Sequence, residues 1–403
     1  MIAFIASLNT SVKVLLFNNF GFNLGFYMLL PYLSRYITND LGLTAGFAGF
    51  VIGFRMMSQQ GLFLVGGTLA DRFNYRTVIM AGCAVRVLGF ALFSLVVSPA
   101  GIIVAAFMTG FAAALFSPAY QALMARLTEN HPMREKVYAI QNVSTQAGVF
   151  FGPLCGLLLL GSGFTILCFV AATVFFILLL LQWNYLPRME GSERGSQLSV
   201  WEDWLKVFKR RNFILFCFAM SAYYLLFNQI YILLPLSVPN ERSVAAIFTL
   251  SAILGVTLQM PISNLTTRHF SRPFRLGLGL ALMGCSFPLM SLPFGSLAEI
   301  PLGPLLTTIV LTLGMLIVFP PAISMVPELG GECNHGVCFG VFYLFAGIAG
   351  AAGGGLTAWM WELNPRALLA GLVIFSLIFA LALWFSAKLA EKPPKNEQVV
   401  TGI

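Results

Sequence analysis

Twelve long apolar runs, separated by short polar or charged breaks, dominate the sequence. A membrane span needs about 20 mostly apolar residues, and most of these runs reach that length. Because backbone in lipid must satisfy its hydrogen bonds internally, each run is predicted to form a transmembrane α-helix. The runs cover residues 12–36, 46–70, 77–98, 101–126, 137–160, 164–186, 212–237, 244–265, 275–295, 301–326, 336–360 and 366–387.

The low charge content narrows the class of protein further. Only 9% of the residues are charged and 58% are hydrophobic, whereas soluble domains carry about 25% charged residues. These values exclude a soluble enzyme, a disordered chain and a disulfide scaffold. A large globular domain on a single anchor is also excluded, because no polar stretch is long enough to form one.

The longest polar segment, 187–211, divides the apolar runs into six and six. This is the plan of transporters built from two related bundles. We therefore predict an all-α membrane protein with twelve transmembrane helices in two six-helix bundles. Within the polar segment, 201–211 is predicted to form an amphipathic surface helix. The predicted domains are an N-terminal bundle 1–186, a linker 187–211, a C-terminal bundle 212–390 and a tail 391–403.

Basic residues concentrate in alternate loops. If the N-terminus is cytoplasmic, the basic segments 72–76, 187–211 and 268–275 all lie on the cytoplasmic side, and the other side carries few Lys or Arg residues. This distribution follows the positive-inside rule. It predicts a multi-pass protein of the bacterial cytoplasmic (inner) membrane with both termini in the cytoplasm. The net charge of +8 then reflects topology and contact with anionic lipid rather than nucleic-acid binding.

Segment 67–76, between the second and third runs, has the sequence Gly-Thr-Leu-Ala-Asp-Arg-Phe-Asn-Tyr-Arg. Its Gly permits close helix approach, and its Asp can face the positive N-terminal end of another helix. The segment resembles motif A of the major facilitator superfamily; an ordinary charged turn is the alternative. The resemblance implies a gate that contacts span eleven near Gly336 and helps to hold the outward-open state. The residues of this gating motif are Gly67, Asp71, Arg72 and Arg76.

Two positions depart from that motif. Asn74 stands where the family has a second Gly, and Tyr75 replaces a basic residue. Asn tolerates the left-handed backbone that Gly would adopt there. We therefore expect the turn to be kept.

A second resemblance lies in the fifth run, at 148–156. It is similar to motif C of the superfamily's antiporters, although Leu157 replaces the last Gly. Small residues at every fourth position also let helices pack closely, so generic packing is the alternative. Motif B is absent, since Ala106 stands where the family has Arg. The antiporter-like residues are Gly148, Gly152, Pro153 and Gly156, and the whole chain resembles the drug:proton antiporter branch of the superfamily.

Two arginines, Arg55 and Arg86, fall inside apolar runs, whereas no carboxylate falls at the centre of one. A guanidinium in the membrane is costly unless it is paired or hydrated. Each guanidinium can find one of three kinds of partner: helix carbonyls and amides, water, or an anionic substrate. Gln59 lies one helical turn from Arg55 on the same face. A structural role and a substrate-binding role both remain open for each arginine.

Amide and tyrosine side chains recur in the spans that the superfamily uses for its central cavity. Such walls suit an amphipathic ligand that needs hydrogen bonds and aromatic contacts. The alternative is hydrogen bonding between helices, worth about 0.6 kcal/mol on average. The predicted substrate cavity contains Asn18, Asn19, Asn23, Arg55, Gln59, Tyr120, Gln121, Asn142, Gln146, Tyr224, Asn228, Gln229 and Tyr343.

These features predict a secondary transporter that exports a small organic compound by alternating access, with proton coupling. The compound would be drug-like or an acidic metabolite such as a siderophore. The alternative is an importer of the same fold, a symporter for a small anionic metabolite. No catalytic constellation or Walker A motif occurs, so we expect neither an enzyme nor an ATP-driven pump. The expected partners are the substrate and the lipid bilayer, without nucleic acid, cofactor or metal, and the protein is expected to be a monomer.

Overall fold

The computed structural model describes residues 2–129, 131, 133–160, 163–188, 199–238, 241–292, 295–297, 300–331 and 333–390. The predicted tail 391–403 and linker residues 189–198 lie outside these ranges. The described chain is almost entirely helical. Its helices are α1 (Ile2–Ser7), α2 (Thr10–Arg35), α3 (Ala45–Gly61), α4 (Phe63–Arg72), α5 (Tyr75–Leu95), α6 (Pro99–Leu127), α7 (Arg134–Leu160), α8 (Phe164–Tyr185), α9 (Val200–Lys209), α10 (Arg211–Asn228), α11 (Leu233–Leu236), α12 (Glu241–His269), α13 (Arg272–Cys285), α14 (Leu302–Gly330), α15 (His335–Leu363) and α16 (Pro365–Ala390).

Short elements of other types complete the described chain. A π-helical turn at Tyr36–Asp40 follows α2, and a 3-10 turn at Phe287–Ser291 follows α13. Two residues of β1 (Ser296–Leu297) pair antiparallel with two of β2 (Ile300–Pro301) just before α14. The two helical turns also contribute to the core, since Ile37 and Phe287 are fully buried in it.

Helices occupy each of the predicted apolar runs. Among the described residues, ten helical segments are long and apolar enough to cross a membrane, and they match the third to twelfth runs. The first and second runs form α2 and the pair α3–α4, which are not among those ten. The prediction of a helical multi-pass membrane protein is therefore confirmed, and the count of twelve spans stays a prediction.

Two of the predicted spans are interrupted helices. The second breaks at Leu62, whose backbone (φ −103°, ψ 3°) leaves the helical region between α3 and α4. The seventh ends its long helix at Asn228 and resumes as α11 after a turn. Polar residues mark both breaks: Gln59 and Gln60 come just before Leu62, and Asn228 and Gln229 lie at the end of α10. The prediction of continuous spans did not use this signal.

Side-chain caps explain where several helices begin. The Thr44 hydroxyl accepts a hydrogen bond from the Phe47 N–H at 3.2 Å before α3, and Ser98 caps α6 ahead of Pro99. The predicted amphipathic segment forms α9, which begins with a capping box between Ser199 and Glu202. Such caps satisfy the first N–H groups, which have no acceptor within the helix. We call α9 the linker helix.

The helices of each half pack on one another, and a smaller set of contacts joins the halves. In the first half α2 packs on α7 and α8, and α5 packs on α6 and α8; in the second α13 packs on α14 and α16, and α10 on α15. Between the halves, α4 packs on α15, and α7 packs on α12 and α14. One end of this bundle is formed by the helix ends at Arg72, Arg134, Arg272, Gly330 and His335, and we call it the basic face.

The outward surface is strongly apolar. Leu158, Leu95 and Val97 are 82%, 72% and 69% exposed, and many other large apolar side chains are more than a third exposed. Monomeric soluble proteins rarely expose contiguous apolar surface on this scale. The surface therefore fits contact with lipid.

Candidate functional site

Asp71, at the end of α4, binds the N-terminal end of α15. Its carboxylate is buried and accepts hydrogen bonds from the backbone N–H groups of Gly336 (2.9 Å) and Val337 (2.7 Å). The Tyr75 hydroxyl donates a third at 2.8 Å. The first N–H groups of a helix lack intrahelical acceptors and carry partial positive charge, so a carboxylate suits them. The predicted contact is thus observed, and we call it the Asp71 clamp.

The clamp requires that the backbones of α4 and α15 touch. A Cβ atom on Gly67 would overlap the carbonyl oxygen of Gly336. A Cβ atom on Gly336 would overlap the carbonyl oxygen of Gly67 and lie 2.7 Å from Asp71 Oδ2. Only glycine fits at either position while the clamp is closed.

The turn after the clamp is kept, as expected, because α4 ends at Arg72 and α5 begins at Tyr75. Its backbone is not the left-handed one: Asn74 has φ −139° and ψ 131°, which is extended. The Asn74 side chain accepts a hydrogen bond from the Arg76 N–H at 2.9 Å and so caps α5. A capping Asn uses this extended region of the backbone map. Arg76 itself donates to the backbone carbonyl of Trp183 and ties α5 to α8.

The linker helix is attached to the same corner of the molecule. The indole N–H of Trp204 donates to the Thr68 hydroxyl at 2.8 Å, one helical turn before Asp71. Asp203 lies 3.8 Å from the Arg72 guanidinium. Burial raises the pKa of the Asp203 carboxyl, and the nearby Arg72 acts in the opposite direction. These two contacts were not predicted from the sequence, although the Trp-Glu-Asp-Trp run at 201–204 marks the helix that makes them.

A cluster of ion pairs closes the opposite corner of the basic face. Glu135, at the start of α7, pairs with Arg272 (2.6 Å) and Arg275 (2.7 Å) at the start of α13. Glu328, near the end of α14, pairs with Arg272 at 2.8 Å and Arg134 at 3.8 Å. We call these five residues the Glu135 cluster. The Glu135 cluster joins the halves, and it was not predicted from the sequence. The sequence did contain a signal, because its acidic and basic residues lie at helix ends that were predicted for the same side of the membrane.

Polar side chains from the two halves also meet deeper in the bundle. Gln121 on α6 donates to the Tyr343 hydroxyl on α15 at 3.1 Å. The Asn142 amide on α7 donates to the side-chain oxygen of Gln259 on α12. Gln146, one turn further along α7, also packs against α12. Four predicted cavity residues therefore lie at the contact between the halves, and we call them, with Gln259, the polar interface.

Other predicted cavity residues bond within one half. The Asn19 amide donates to the Gln141 carbonyl (3.1 Å) and the Thr145 hydroxyl (2.7 Å), which ties α2 to α7. Asn23 donates to the backbone oxygen of Asn19 at 2.7 Å. These bonds fit the alternative of hydrogen bonding between and within helices.

The second half shows the same pattern. Gln229 accepts a hydrogen bond from the Thr357 hydroxyl at 3.0 Å, which ties the end of α10 to α15. Asn228 lies beside Gly350 of α15, and the Tyr224 ring packs edge-on against Phe342 at 5.8 Å. All three residues therefore contact α15.

Two predicted cavity residues of the first half have buried polar atoms without hydrogen bonds. Asn18 and Tyr120 are 0% and 2% exposed, and their side-chain polar atoms have no hydrogen-bond partner among the described residues. The Tyr120 ring stacks on Phe116, with 5.4 Å between the ring centres. Buried polar groups are normally paired, so the hydrogen bonds of this conformation do not account for the Asn18 amide or the Tyr120 hydroxyl.

Arg55 and Gln59 interact as their spacing predicted. The Arg55 guanidinium donates to the Gln59 side-chain oxygen at 2.8 Å, and its carbon lies 4.2 Å from the centre of the Phe26 ring. The side chain of Arg55 is buried. A side-chain amide and an aromatic ring thus supply its partners in this structure.

The antiporter-like residues join α7 to α2. A Cβ atom on Gly148 would lie 2.6 Å from Asn23 Cβ, and one on Gly156 would overlap the Met28 carbonyl oxygen. Gly152 lies equally close to α2. The carbonyl of Pro153 accepts a hydrogen bond from the Tyr32 hydroxyl at 2.8 Å. This segment therefore has a packing role, as the alternative interpretation proposed, and its relation to antiport is untested by the structure.

Comparison with known proteins agrees with this fold. Residues 15–354 match the Major Facilitator Superfamily. An uncharacterized MFS-type transporter of Mycobacterium tuberculosis is 34% identical over 388 residues, which cover 93% of this chain and 92% of the relative. The multidrug resistance protein MdtH of Photorhabdus laumondii is 32% identical over 291 residues, 71% of each chain.

A solved structure shows the same architecture at low sequence identity. A POT family transporter, crystallised with 5-aminolevulinic acid, superposes with a TM-score of 0.69 over 96% of this chain and 100% of its own, at 15% identity. Fold and relatives together define a multi-pass membrane transporter rather than an enzyme. The chain belongs to the major facilitator superfamily.

Proposed function

We propose that this protein exports a small organic compound across the bacterial cytoplasmic membrane by alternating access. The observation that carries the proposal is the closed basic face, where the Asp71 clamp and the Glu135 cluster join the two halves. The polar interface adds side chains of the types that bind ligands to the contact between the halves, which we call the seam. Hydrogen bonds and ion pairs that close the seam at one end can break and form again, as two bundles that rock around a central site require.

The proposed architecture is two six-helix bundles, 1–186 and 212–390, joined by the linker 187–211. In this arrangement the polar interface is released when the halves separate, and its amides and Tyr343 become available to a substrate. The substrate class that suits such a surface is amphipathic, with hydrogen-bonding and aromatic groups. A relative named for multidrug resistance supports export of drug-like compounds.

The buried Arg55 favours substrates with an acidic group, since its guanidinium is a cation inside the first-half helices and its hydrogen bond is to the neutral amide of Gln59. An acidic metabolite or siderophore would fit an exporter. Import of a small anionic metabolite by a symporter is the second candidate, and the same arginine supports it. Proton coupling is part of the proposal. Among the described residues, Asp71, Glu135 and Glu328 are carboxylates at the contact between the halves, so they are candidates for protonation.

We expect the basic face to be cytoplasmic. In a variant without native cysteines, Ser271→Cys lies on the basic face and Glu362→Cys at the opposite end of the bundle; both positions are exposed. A membrane-impermeant thiol reagent applied to intact cells should label Cys at position 362 and leave position 271 unlabelled. Everted vesicles should give the reverse. Labelling of position 271 from outside intact cells would contradict the orientation.

Export is tested by metabolite comparison of the medium and the cell interior, with and without the gene, alongside drug susceptibility. Cells that express the protein should enrich at least one compound in the medium. Gln121→Leu and Asn142→Leu each remove a hydrogen-bonding group worth about 0.5–1.5 kcal/mol, so export should fall about two- to tenfold. Thr173→Val, on the outer surface of α8, is the matched control and should leave export unchanged. Enrichment inside the cells would favour the importer instead.

A further inference from the structure

Two cations lie close together at mid-depth of the first half. Arg55 is 6% exposed and Arg86 is 1% exposed. Arg55 is eleven residues into α3 and Arg86 twelve residues into α5, which places each roughly 16 Å along its helix at 1.5 Å per residue. Within the described residues, neither guanidinium forms an ion pair with a carboxylate.

Their hydrogen bonding is incomplete. Arg55 donates to Gln59 at 2.8 Å, and Arg86 donates from one Nη to the Thr109 carbonyl at 3.2 Å. The Nε of Arg55, and the Nε and second Nη of Arg86, have no hydrogen-bond partner in the described structure. Both guanidiniums contact the same ring, Phe26, at 4.2 and 5.5 Å from its centre. Three buried nitrogen atoms, which carry four N–H donors, are therefore left over on two neighbouring cations.

The aromatic contacts do not balance these charges. Arg86 also lies 3.8 Å from the centre of the Phe22 ring and 5.2 Å from that of Phe175. Each cation–π contact contributes about 0.5–2 kcal/mol. Removing an ion from water costs several kcal/mol even after the protein relaxes, and two like charges add their repulsion. A bound anion would supply acceptors for the unpaired N–H groups and a negative charge to compensate the two guanidiniums.

A cavity is present at this place. Arg55 and Thr109 are its polar lining residues, and the rest of the lining is Leu and Phe side chains of α2 and α5. Arg86 stands beside it through its bond to the Thr109 carbonyl. The free space holds about one water-sized particle, which admits a compact ion and excludes a large oxyanion such as sulfate unless the helices move.

We propose that Arg55 and Arg86 form a buried binding site for a compact monovalent anion. Two sources supply that chemistry: free chloride, or a carboxylate group at the end of a transported compound. The site lies within the first-half helices, and it depends neither on the direction of transport nor on the polar interface. With one anion bound, the pair carries a single net positive charge.

The test uses the full-length protein purified in detergent, at constant ionic strength in isethionate buffer, which contains no carboxylate. Chloride or bromide should raise the unfolding temperature in a saturable manner, by on the order of 3 °C at a hundredfold excess over Kd. Sulfate should not. Arg86→Gln should abolish the halide response, and Arg86→Lys should keep part of it. Arg366→Gln removes an exposed arginine at the far end of the bundle, so its halide response should match that of the natural protein.

Acetate forms the second arm. A response to acetate and not to halides, lost in Arg86→Gln, identifies a carboxylate as the ligand. If the variants do not fold, bromide anomalous scattering from crystals of the natural protein replaces them, and a peak beside Arg55 and Arg86 supports the site. The proposal is overturned if neither halide nor acetate stabilises the natural protein. It is also overturned if Arg86→Gln and Arg55→Gln respond to these anions as the natural protein does. In a protein that does not respond to acetate, the absence of a bromide peak beside Arg55 and Arg86 would overturn it as well. A protein that binds bromide and exports nothing would reject the proposed function alone.

Discussion

Asp71→Asn should open the basic face and reduce transport more than tenfold. An Asn side chain has one oxygen, so it accepts from Gly336 or Val337 and turns an N–H₂ group towards the other. Hydrogen bonds to a charged group contribute about 1.5–3 kcal/mol, and loss of the negative charge at a helix N-terminus adds up to ~2 kcal/mol. Because about 1.4 kcal/mol corresponds to a factor of ten in an equilibrium constant, the ratio of closed to open protein should fall by at least that factor.

The opening is measured as a distance. Spin labels at Thr77→Cys and Ser271→Cys, both exposed at the basic face and in different halves, report the separation by double electron–electron resonance. Asp203→Asn is the matched control: it removes a carboxylate from the same corner, but one that lies 3.8 Å from a partly exposed Arg72. The control should shift the distribution only slightly. Equal distributions for Asp71→Asn and the natural protein would rule out a gating role for the clamp.

Glu135→Gln should destabilise the closed protein strongly, because Glu135 holds two arginines at once. Arg275 is only 4% exposed in its side chain, and it would lose its ion-pair partner on substitution. Removing one partner of a buried ion pair lowers the free energy of unfolding by about 3 kcal/mol. We expect a fall of several degrees in unfolding temperature and a wider basic face.

Glu328→Gln provides the comparison within the same cluster. Glu328 also pairs with Arg272, but its side chain is 40% exposed, so solvent screens the pair and the loss should be much smaller. Added salt should reduce the fall in unfolding temperature caused by Glu328→Gln by a larger fraction than the fall caused by Glu135→Gln. If both variants unfold at the same temperature, burial does not set the strength of these pairs.

The sequence predicted the parts of this molecule that depend on local patterns. Long apolar runs are sufficient to place helices, and the Asp71 contact followed from an acid in a glycine-containing turn and a helix start near Gly336. The break at Leu62 was missed, although Gln60 and Gly61 come directly before it and Gly is a common helix end. The turn at Asn74 was predicted but not its backbone, since this residue type fits both a left-handed turn and a helix cap.

The contacts between distant residues were harder to predict. Glu135 and Arg272 are far apart in sequence, and only the packing of α7 beside α13 and α14 brings their charges together. The polar residues show the same limit. Asn19 and Gln121 are both amides in apolar helices, yet Asn19 bonds inside one half and Gln121 across the seam. Composition identifies such groups, and helix arrangement decides which neighbour they find.

The linker helix limits how far the basic face can open without breaking contacts. Its Trp204 is hydrogen-bonded to Thr68 of α4, while only Arg210 separates its last residue from the start of α10 in the second half. One extended residue spans less than 4 Å. A larger separation of α4 from α10 must therefore detach Trp204 from Thr68 or carry the linker helix away with one half. The linker thus acts as a short tether, and its release from Thr68 sets a threshold that small fluctuations of the seam do not cross.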